Sequence, residues 1–556
     1  MIRIIESVYG RSAGGCLARP ADLLRFYGLY RKQKGERDMF ICREDYPVAD
    51  TKYGKVRGFY LDGCFIFQGI KYADAKRFHM PQEPESWEGV KDALSYGYVA
   101  QIMKKPVPNN EIMVPHRYWP SSEDCQYLNI WSPSMEKDAK KPVMVWLHGG
   151  AFDDGSSIEQ VAYEGKNLSM AEDVVVVSVN HRLNILGYWD LSEVDEDYWN
   201  TGNLGNADLT AALRWIHDNI AVFGGDPDNV TLFGQSGGGM KVLTLMQTPE
   251  ANTLFQKGIV QSGVIANMFN QDKKVNHAFV EKLRERGIAD KETLETMPYR
   301  RLVEEYQKIE EELTSEGYEV TRCPIENAYY LGNPLEHGFC ERAKEIPLLV
   351  GSVFGEFDFD HGINGKEDYS EEAIRQMLEA QLGDGAEALS ELFKETYPDK
   401  HILDLLSLDN FIRSTEIDLI KERCKSDKSD TYSFLFTYNF ALDGGKTAWH
   451  CCEIPFVFHN IEKVPVCNDS EETKILEKQM SFAWAQFART GKPELGVPSP
   501  GETKVPQWTA CAPGKENVMV FDRTCQVRTN FDHELIALHE QYFDGSSRLK
   551  ADNVQH

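Results

Sequence analysis

Short runs of consecutive apolar residues, many of them β-branched, recur along the first half of the chain and are separated by turns and amphipathic stretches. We predict strands at residues 53–58, 64–67, 128–131, 143–147, 174–179 and 230–233. Between the last two, apolar residues at the spacing of one helical face predict a helix over residues 208–220. Continuously apolar strands that alternate with helices indicate an α/β fold, with a mostly parallel sheet covered on both faces.

Two later segments, residues 271–320 and 368–425, are charged and have a helical period. They fit solvated scaffold helices, and they also fit a cap over a site. No linker or change in composition divides the chain. We therefore predict one domain over residues 46–545, with helical insertions at about 271–345 and 365–430, a peripheral extension over residues 1–45 and a C-terminal tail over residues 546–556.

The net charge of −27 over 556 residues narrows the choice of partner. Nucleic acids and anionic membranes bind through positive protein surface, so we expect neither, and we expect neutral or cationic small molecules to be favoured. No apolar run approaches the roughly 18 residues that span a bilayer. The basic N-terminal segment lacks the apolar region and cleavage site of a secretory signal.

The 12 cysteines are scattered, without a Cys-x-x-Cys pair or the His/Cys spacing of a zinc site. This pattern predicts reduced thiols in a cytoplasmic protein, with neither a disulfide framework nor a metal. We expect no cofactor, and the oligomeric state is left open.

One motif carries candidate chemistry. Gly234-Gln-Ser-Gly-Gly238 lies between the strand predicted at residues 230–233 and a helix predicted at residues 240–247. A Gly-x-Ser-x-Gly turn from a strand into a helix is the nucleophile elbow, a strained turn that exposes a serine hydroxyl above the sheet. Ser236 is therefore the candidate nucleophile.

A serine nucleophile also needs a base, a group that orients the base, and hydrogen-bond donors for the oxyanion. His148-Gly-Gly-Ala-Phe152 follows the strand predicted at residues 143–147 and is a glycine-rich turn of the type that supplies such donors. We predict an oxyanion hole formed by the amides of Gly149, Gly150 and Gly237. Taken alone, the motif also fits a tight turn after a buried strand.

Further segments resemble the type-B carboxylesterases of the α/β-hydrolase fold, a family that includes cholinesterases and, closest in character, bacterial carboxylesterases. The matching segments are Ser122-Glu-Asp-Cys-Gln-Tyr-Leu-Asn-Ile-Trp131, Asn180-His-Arg182, Asn219-Ile-Ala-Val-Phe-Gly-Gly-Asp-Pro227, Gln261-Ser-Gly263 and Phe487-Ala-Arg-Thr-Gly491, and the resemblance covers about residues 50–545. It implies Glu356, at the end of segment 348–356, as the orienting acid. It implies His450, in segment 447–458, as the base.

The resemblance also implies supporting roles outside the triad. Ser262 matches a serine near the base, and together with Gln235 it is expected in the surroundings of the triad. The family pattern further implies two internal ion pairs, Arg77 with Glu123 and Arg182 with Asp226. None of these residues is assigned a catalytic role.

The chain departs from the family pattern near the triad. Gln235 stands where the family usually has glutamate, and a neutral neighbour favours the imidazolium form of His450 less than an acid would. Cys451-Cys452 follow the base where glycine or alanine is common, and they fit either small packing residues or a thiol whose modification blocks the site. Residues 100–101 are alanine and glutamine. Secreted members of the family have a cysteine there, and it forms a disulfide with the cysteine that corresponds to Cys125.

We therefore predict a serine carboxylesterase that hydrolyses carboxylic esters of small to medium size through an acyl-enzyme on Ser236. A lipase or an amidase on the same fold is one alternative. A non-catalytic interaction protein of this fold is the alternative from another class, and it is disfavoured because such relatives typically lose the serine that this chain keeps.

Overall fold

The computed structural model describes residues 39–104, 113–265, 269–358 and 365–545, so most of the predicted N-terminal extension and the whole C-terminal tail lie outside the described residues. The strands are β1 (Phe40–Ile41), β2 (Val48–Thr51), β3 (Gly54–Arg57), β4 (Phe59–Leu61), β5 (Cys64–Lys71), β6 (Val90–Asp92), β7 (Tyr127–Ser132), β8 (Lys141–Leu147), β9 (Val175–Val179), β10 (Gly225–Gln235), β11 (Lys257–Gln261), β12 (Leu348–Val353), β13 (Thr431–Phe436), β14 (Asn517–Phe521) and β15 (Gln526–Thr529).

The α-helices of the same ranges are α1 (Lys166–Glu172), α2 (Asn184–Gly187), α3 (Leu204–Asn219), α4 (Gly237–Met246), α5 (Lys273–Glu285), α6 (Lys291–Thr296), α7 (Tyr299–Ser315), α8 (Pro334–His337), α9 (Glu341–Lys344), α10 (Glu371–Leu382), α11 (Ala386–Thr396), α12 (Phe411–Arg423), α13 (Ile454–Val457), α14 (Glu471–Thr490) and α15 (His533–Tyr542). None of these helices combines the length and the apolar character needed to cross a membrane.

One large mixed sheet organises the molecule. Its strand order is β1-β4-β5-β7-β9-β8-β10-β11-β12-β13-β14-β15, and β2-β3-β6 form a smaller sheet beside it. Neighbouring strands from β9 to β14 run parallel, whereas antiparallel strands complete both edges. The mostly parallel sheet flanked by helices confirms the predicted fold class.

The centre of the sheet is buried on both faces. In β8, Met144 and Trp146 belong to one hydrophobic core, and Val143, Val145 and Leu147 belong to the other. This alternation follows from the two-residue period of a strand. Because helices cover both cores, the central strands are continuously apolar in sequence, which is why they could be predicted from the pattern alone.

The predicted insertions are helical where they are described, with α5 to α9 in the first and α10 to α12 in the second. Arg322, which follows α7, donates to both carboxylate oxygens of Asp153, from Nε to Oδ1 at 2.5 Å and from Nη2 to Oδ2 at 3.0 Å. Asp153 directly follows the glycine-rich turn after β8. The first insertion therefore lies against that turn, and its role as a cap stays a prediction.

Of the two implied internal ion pairs, one is confirmed and one is wrong. Arg77 donates from Nε to Oε2 of Glu123 at 2.8 Å. Arg182, however, pairs with Asp208 in α3, with Nε–Oδ2 at 2.9 Å and Nη2–Oδ1 at 2.7 Å, and not with Asp226. The physical reason is depth: Arg182 and Asp208 are both buried, Asp226 is only half-buried, and a buried guanidinium requires a carboxylate at its own depth.

Candidate active site

The predicted site residues meet at the carboxyl end of the parallel strands. β8 leads into the glycine-rich turn, β10 leads into Ser236, and β12 ends shortly before Glu356. His450 lies on the connection between β13 and α13. Parallel strands bring their carboxyl ends to one edge of the sheet, where open α/β sheets bind their ligands.

Ser236 occupies a strained turn between β10 and α4. Its backbone has φ 56° and ψ −125°, a conformation that residues other than glycine rarely adopt and that costs on the order of 1–3 kcal/mol. A Cβ atom at Gly237 would overlap the backbone of Ala151, and one at Gly238 would overlap the carbonyl oxygen of Leu147. Glycine is required after the serine because the start of α4 lies directly on the backbone of β8 and the turn that follows it.

The glycine-rich turn lies beside the serine. A Cβ atom built on Gly149 would be 3.5 Å from Cβ of Ser236 and 3.2 Å from the carbonyl oxygen of Gln235. Gly150 has a left-handed φ of 81°, which turns the chain next to Ser236. Gly149 and Gly237 therefore lie beside Ser236, Gly150 is the next residue of the turn, and the oxyanion role of their three amides stays a prediction.

His450 and Glu356 form a buried pair. Nδ1 of His450 is 2.5 Å from Oε2 of Glu356, and the backbone amide of His450 donates to the carbonyl oxygen of Glu356 at 2.6 Å. Oε1 of Glu356 accepts from the backbone amide of Val353 at 3.0 Å, and Phe357 packs against the imidazole. Since a carboxylate can only accept, Nδ1 carries the proton and Nε2 is left as the acceptor.

Gln235 connects this pair to the elbow. Its Nε2 lies 3.2 Å from Nε2 and 3.3 Å from Nδ1 of His450, so the amide group contacts the imidazole from the residue that precedes Ser236. The thiol of Cys451 donates to Oε1 of Gln235 at 3.3 Å, which fixes the amide with its NH₂ group towards the ring. The two departures from the family pattern, Gln235 and Cys451, therefore contact each other.

The cysteines and the serine that the sequence placed near the triad are all buried or partly buried in the structure. Burial raises the pKa of Cys451 and of Cys452, which disfavours the reactive thiolate and supports the interpretation of both as packing residues. Cys125 is a free thiol packed against Ala100, as its missing disulfide partner predicted. Ser262 is buried, and its hydroxyl has no hydrogen-bond partner among the described residues, so its place beside the base stays a prediction.

Lys241 is a charged residue of the site that the sequence pattern did not single out. It lies in α4, is fully buried, and donates from Nζ to the carbonyl oxygen of His148 at 2.9 Å. A lysine inside the mostly apolar run of residues 240–246, shortly after an elbow, was the available signal.

A group of possible metal ligands lies far along the sheet. One ligand atom each from Glu516, Asp532 and His533 come within 4.8 Å of one another. The guanidinium of Arg413 donates to both carboxylates at 2.8–2.9 Å and supplies the positive charge that a metal would bring. The cluster is therefore an ion-pair network, and no metal is assigned to it.

Known proteins are similar to this chain over most of its length. Residues 45–538 match the model of the Carboxylesterase family. The para-nitrobenzyl esterase of Bacillus subtilis (strain 168) is 32% identical over 511 residues, which make up 88% of this chain and 97% of that protein. The phenmedipham hydrolase of Pseudarthrobacter oxydans is 30% identical over 464 residues, which make up 80% of this chain and 90% of that protein.

A solved structure is similar over nearly the same length. An esterase from the anaerobe Clostridium hathewayi, which can hydrolyze aliphatic aromatic polyesters, aligns with a TM-score of 0.86 and 46% sequence identity, covering 91% of this chain and all of that one. Fold and relatives together define an α/β-hydrolase. The chain belongs to the carboxylesterase family, and it is an enzyme that hydrolyses carboxylic esters.

Proposed function

We propose that this esterase acts on carboxylic esters of small to medium size through an acyl-enzyme on Ser236. In this proposal His450 is the general base, Glu356 orients it, and the amides of Gly149, Gly150 and Gly237 receive the oxyanion. The contact that supports it most strongly is the 2.5 Å pair of His450 with Glu356, in an imidazole that also contacts the residue before Ser236.

The chemistry follows from the proton positions. Nε2 of His450 accepts the proton of Ser236 as Oγ bonds to the ester carbon and the carbonyl electron pair becomes an oxyanion. The imidazolium, stabilised by Glu356, then gives that proton to the departing alcohol as its C–O bond breaks. Each oxyanion donor contributes on the order of 3 kcal/mol to such a step. Water repeats the cycle on the acyl-enzyme and releases the acid.

The first prediction tests the nucleophile. Ser236→Ala should lower kcat/KM for p-nitrophenyl butyrate by roughly 10⁴-fold or more, because no covalent intermediate can form. A fluorophosphonate probe should add one adduct to the wild-type chain and none to the variant, measured by intact mass. Ser390→Ala, on α11, serves as the control and should keep full activity and labelling. Substantial activity of the Ser236 variant would refute the proposal.

The second prediction concerns substrate charge. Asp153, Asp154 and Glu159 follow the glycine-rich turn, and burial together with the other two carboxylates raises the pKa of Asp154 to about 6. Arg322 pairs with Asp153 and Lys241 lies near Glu159, so it is the remaining carboxylate, Asp154, that supports the preference for neutral or cationic esters. We expect kcat/KM for acyl groups of matched length to fall by roughly 10-fold when the chain ends in a carboxylate instead of a methyl group, and the difference to shrink in high salt.

The same substrate panel tests the remaining points. Equal rates for the anionic and neutral esters in low salt would remove the charge preference. A maximum at long acyl chains, with activation at an interface, would favour the lipase alternative, and turnover of an anilide at the ester's rate would favour the amidase. A cytoplasmic location is also part of the proposal, and it is supported by the described cysteines, which are all free thiols.

A further inference from the structure

Lys241 is a buried cation directly beneath the glycine-rich turn. It belongs to α4, the helix that begins immediately after Ser236, and every residue of that helix is buried. Its Nζ donates to the carbonyl oxygen of His148 at 2.9 Å. The side chain therefore joins the elbow helix to the backbone of the turn that lies beside the serine.

The acceptor of this hydrogen bond has a specific chemical consequence. The carbonyl oxygen of His148 and the amide of Gly149 belong to one peptide group. A cation that donates to the oxygen withdraws electron density from that group and strengthens its N–H as a donor, because linked hydrogen bonds polarise one another. Gly149 is the residue whose Cβ position lies 3.5 Å from Cβ of Ser236.

The charge of Lys241 is poorly compensated. Glu159 and Asp153 act on it through space, without a hydrogen bond, and burial outweighs them, so that the pKa of Lys241 falls to about 7. Burial first, and Lys241 second, also lower the pKa of His148 and His181, which disfavours a charge on either imidazole. Below pH 7 the ammonium form is therefore buried with one neutral acceptor among the described residues, an arrangement that costs stability and argues against a purely structural role.

We infer that Lys241 is a positioning residue of the oxyanion hole, which holds the 148–149 peptide in place and polarises the Gly149 amide towards the oxyanion. Negative charge develops beside this peptide only when the ester carbon becomes tetrahedral. The ammonium group therefore stabilises the transition state more than the bound ester, and it acts without transferring its proton. The inference rests on the proposed oxyanion role of Gly149.

The experiment compares two buried lysines. Lys241→Met, assayed below pH 7 where the lysine is protonated, should lower kcat on p-nitrophenyl butyrate by roughly 10- to 100-fold with little change in KM, since the lost interaction exists mainly in the transition state. The control is Lys257→Met: this lysine is also buried, with a pKa lowered to about 8, but it lies at the start of β11 and bonds to Asn229 at 2.5 Å. The control should keep wild-type kcat and KM.

A third variant and two inhibitors separate charge from packing. Lys241→Gln keeps a hydrogen-bond donor without the charge and should fall between the wild type and Lys241→Met. A trifluoromethyl ketone, which forms a tetrahedral oxyanion on the serine, should bind more weakly in proportion to the loss of kcat/KM. Butyramide, an uncharged planar competitor, should bind all variants equally. If Lys241 acted only in folding, its substitution would change the affinities of the two inhibitors by the same factor.

The outcomes distinguish this inference from the proposed function. If Ser236→Ala is inactive but both Lys241 variants keep wild-type kcat, or change the affinity of both inhibitors equally, the inference is wrong and the proposed function stands. If Ser236→Ala keeps its activity, the proposed function itself fails. If Lys241→Met does not fold, the Lys241→Gln variant decides by the same inhibitor ratio.

Discussion

Two buried cations of this enzyme have opposite surroundings. Arg413, in α12, makes five hydrogen bonds to the carboxylates of Glu416, Glu516 and Asp532, all at 2.8–2.9 Å. Lys241, in α4, makes one hydrogen bond, to the backbone carbonyl of His148. Burial lowers the pKa of Lys241 to about 7, whereas at Arg413 the neighbouring acids outweigh burial and raise the pKa.

The difference shows where each charge acts. The carboxylates around Arg413 compensate its charge. Glu416 lies in the same helix, whereas Glu516 and Asp532 directly precede β14 and α15, so the network joins distant parts of the chain. Among the described residues no carboxylate forms a hydrogen bond with Lys241, and its hydrogen bond goes to the peptide beside Ser236. Arg413 therefore stabilises the fold through the carboxylates bound to it. Lys241 gains its compensating negative charge only when the oxyanion forms during the reaction.

The largest effect, on the free energy of unfolding, is expected when Arg413 is replaced. Arg413→Met removes the guanidinium that pairs with three buried carboxylates, and breaking such a network costs about 3–5 kcal/mol. We expect the free energy of unfolding, measured by urea denaturation, to fall by that amount. The kcat of the fraction that remains folded should be unchanged, because the cluster does not touch the site.

Arg375→Met is the matched control for this variant. Arg375 also pairs with two carboxylates, Glu372 and Glu379, but all three are exposed on α10. Its removal should hardly change the unfolding midpoint, since exposed ion pairs are screened by water and salt. Equal destabilisation by the two arginine variants, or a loss of kcat in the Arg413 variant, would break the comparison.

Lys241→Met should lower kcat and leave the stability of the fold unchanged, which is the reverse of Arg413→Met. Its effect should be smaller than that of Arg413→Met and larger than that of Gln235→Glu. Methionine fills nearly the same volume without an uncompensated charge, so the unfolding midpoint should stay at or above that of the wild type. The loss should appear in kcat alone. A variant that unfolds as easily as Arg413→Met would show that Lys241 stabilises the fold, and the contrast between the two cations would disappear.

The sequence predicts the parts of this site that depend on local pattern. The central strands are apolar on both faces, and Ser236 is marked by the glycines that its turn requires. Glu356 and His450 could be assigned only through the family resemblance, because nothing local separates them from 87 acids and 14 histidines. The apolar run around Lys241 indicated that this lysine is buried, but its contact with His148 and the pairing of Arg182 with Asp208 depend on tertiary packing, which the sequence pattern does not show.

The smallest effect is expected at Gln235, where a substitution adds a negative charge beside the site instead of removing a positive one. Gln235→Glu would place a carboxylate within about 3.3 Å of the imidazole of His450. A nearby negative charge favours the imidazolium form, so the base should stay protonated to higher pH. We expect the acidic limb of the kcat/KM profile to move upward by roughly one pH unit, measured with p-nitrophenyl butyrate.

Gln376→Glu adds the same charge on the exposed face of α10 and should leave the limb in place. Cys451→Ala sharpens the test, because it removes the thiol that holds the amide of Gln235 towards the ring. With the amide free to rotate, its oxygen can face the imidazole, and the limb should move in the same direction as in Gln235→Glu but less. If the acidic limb of the kcat/KM profile does not move in Gln235→Glu, charges beside this site are compensated as fully as those around Arg413. The distinction between the two regions would then be wrong.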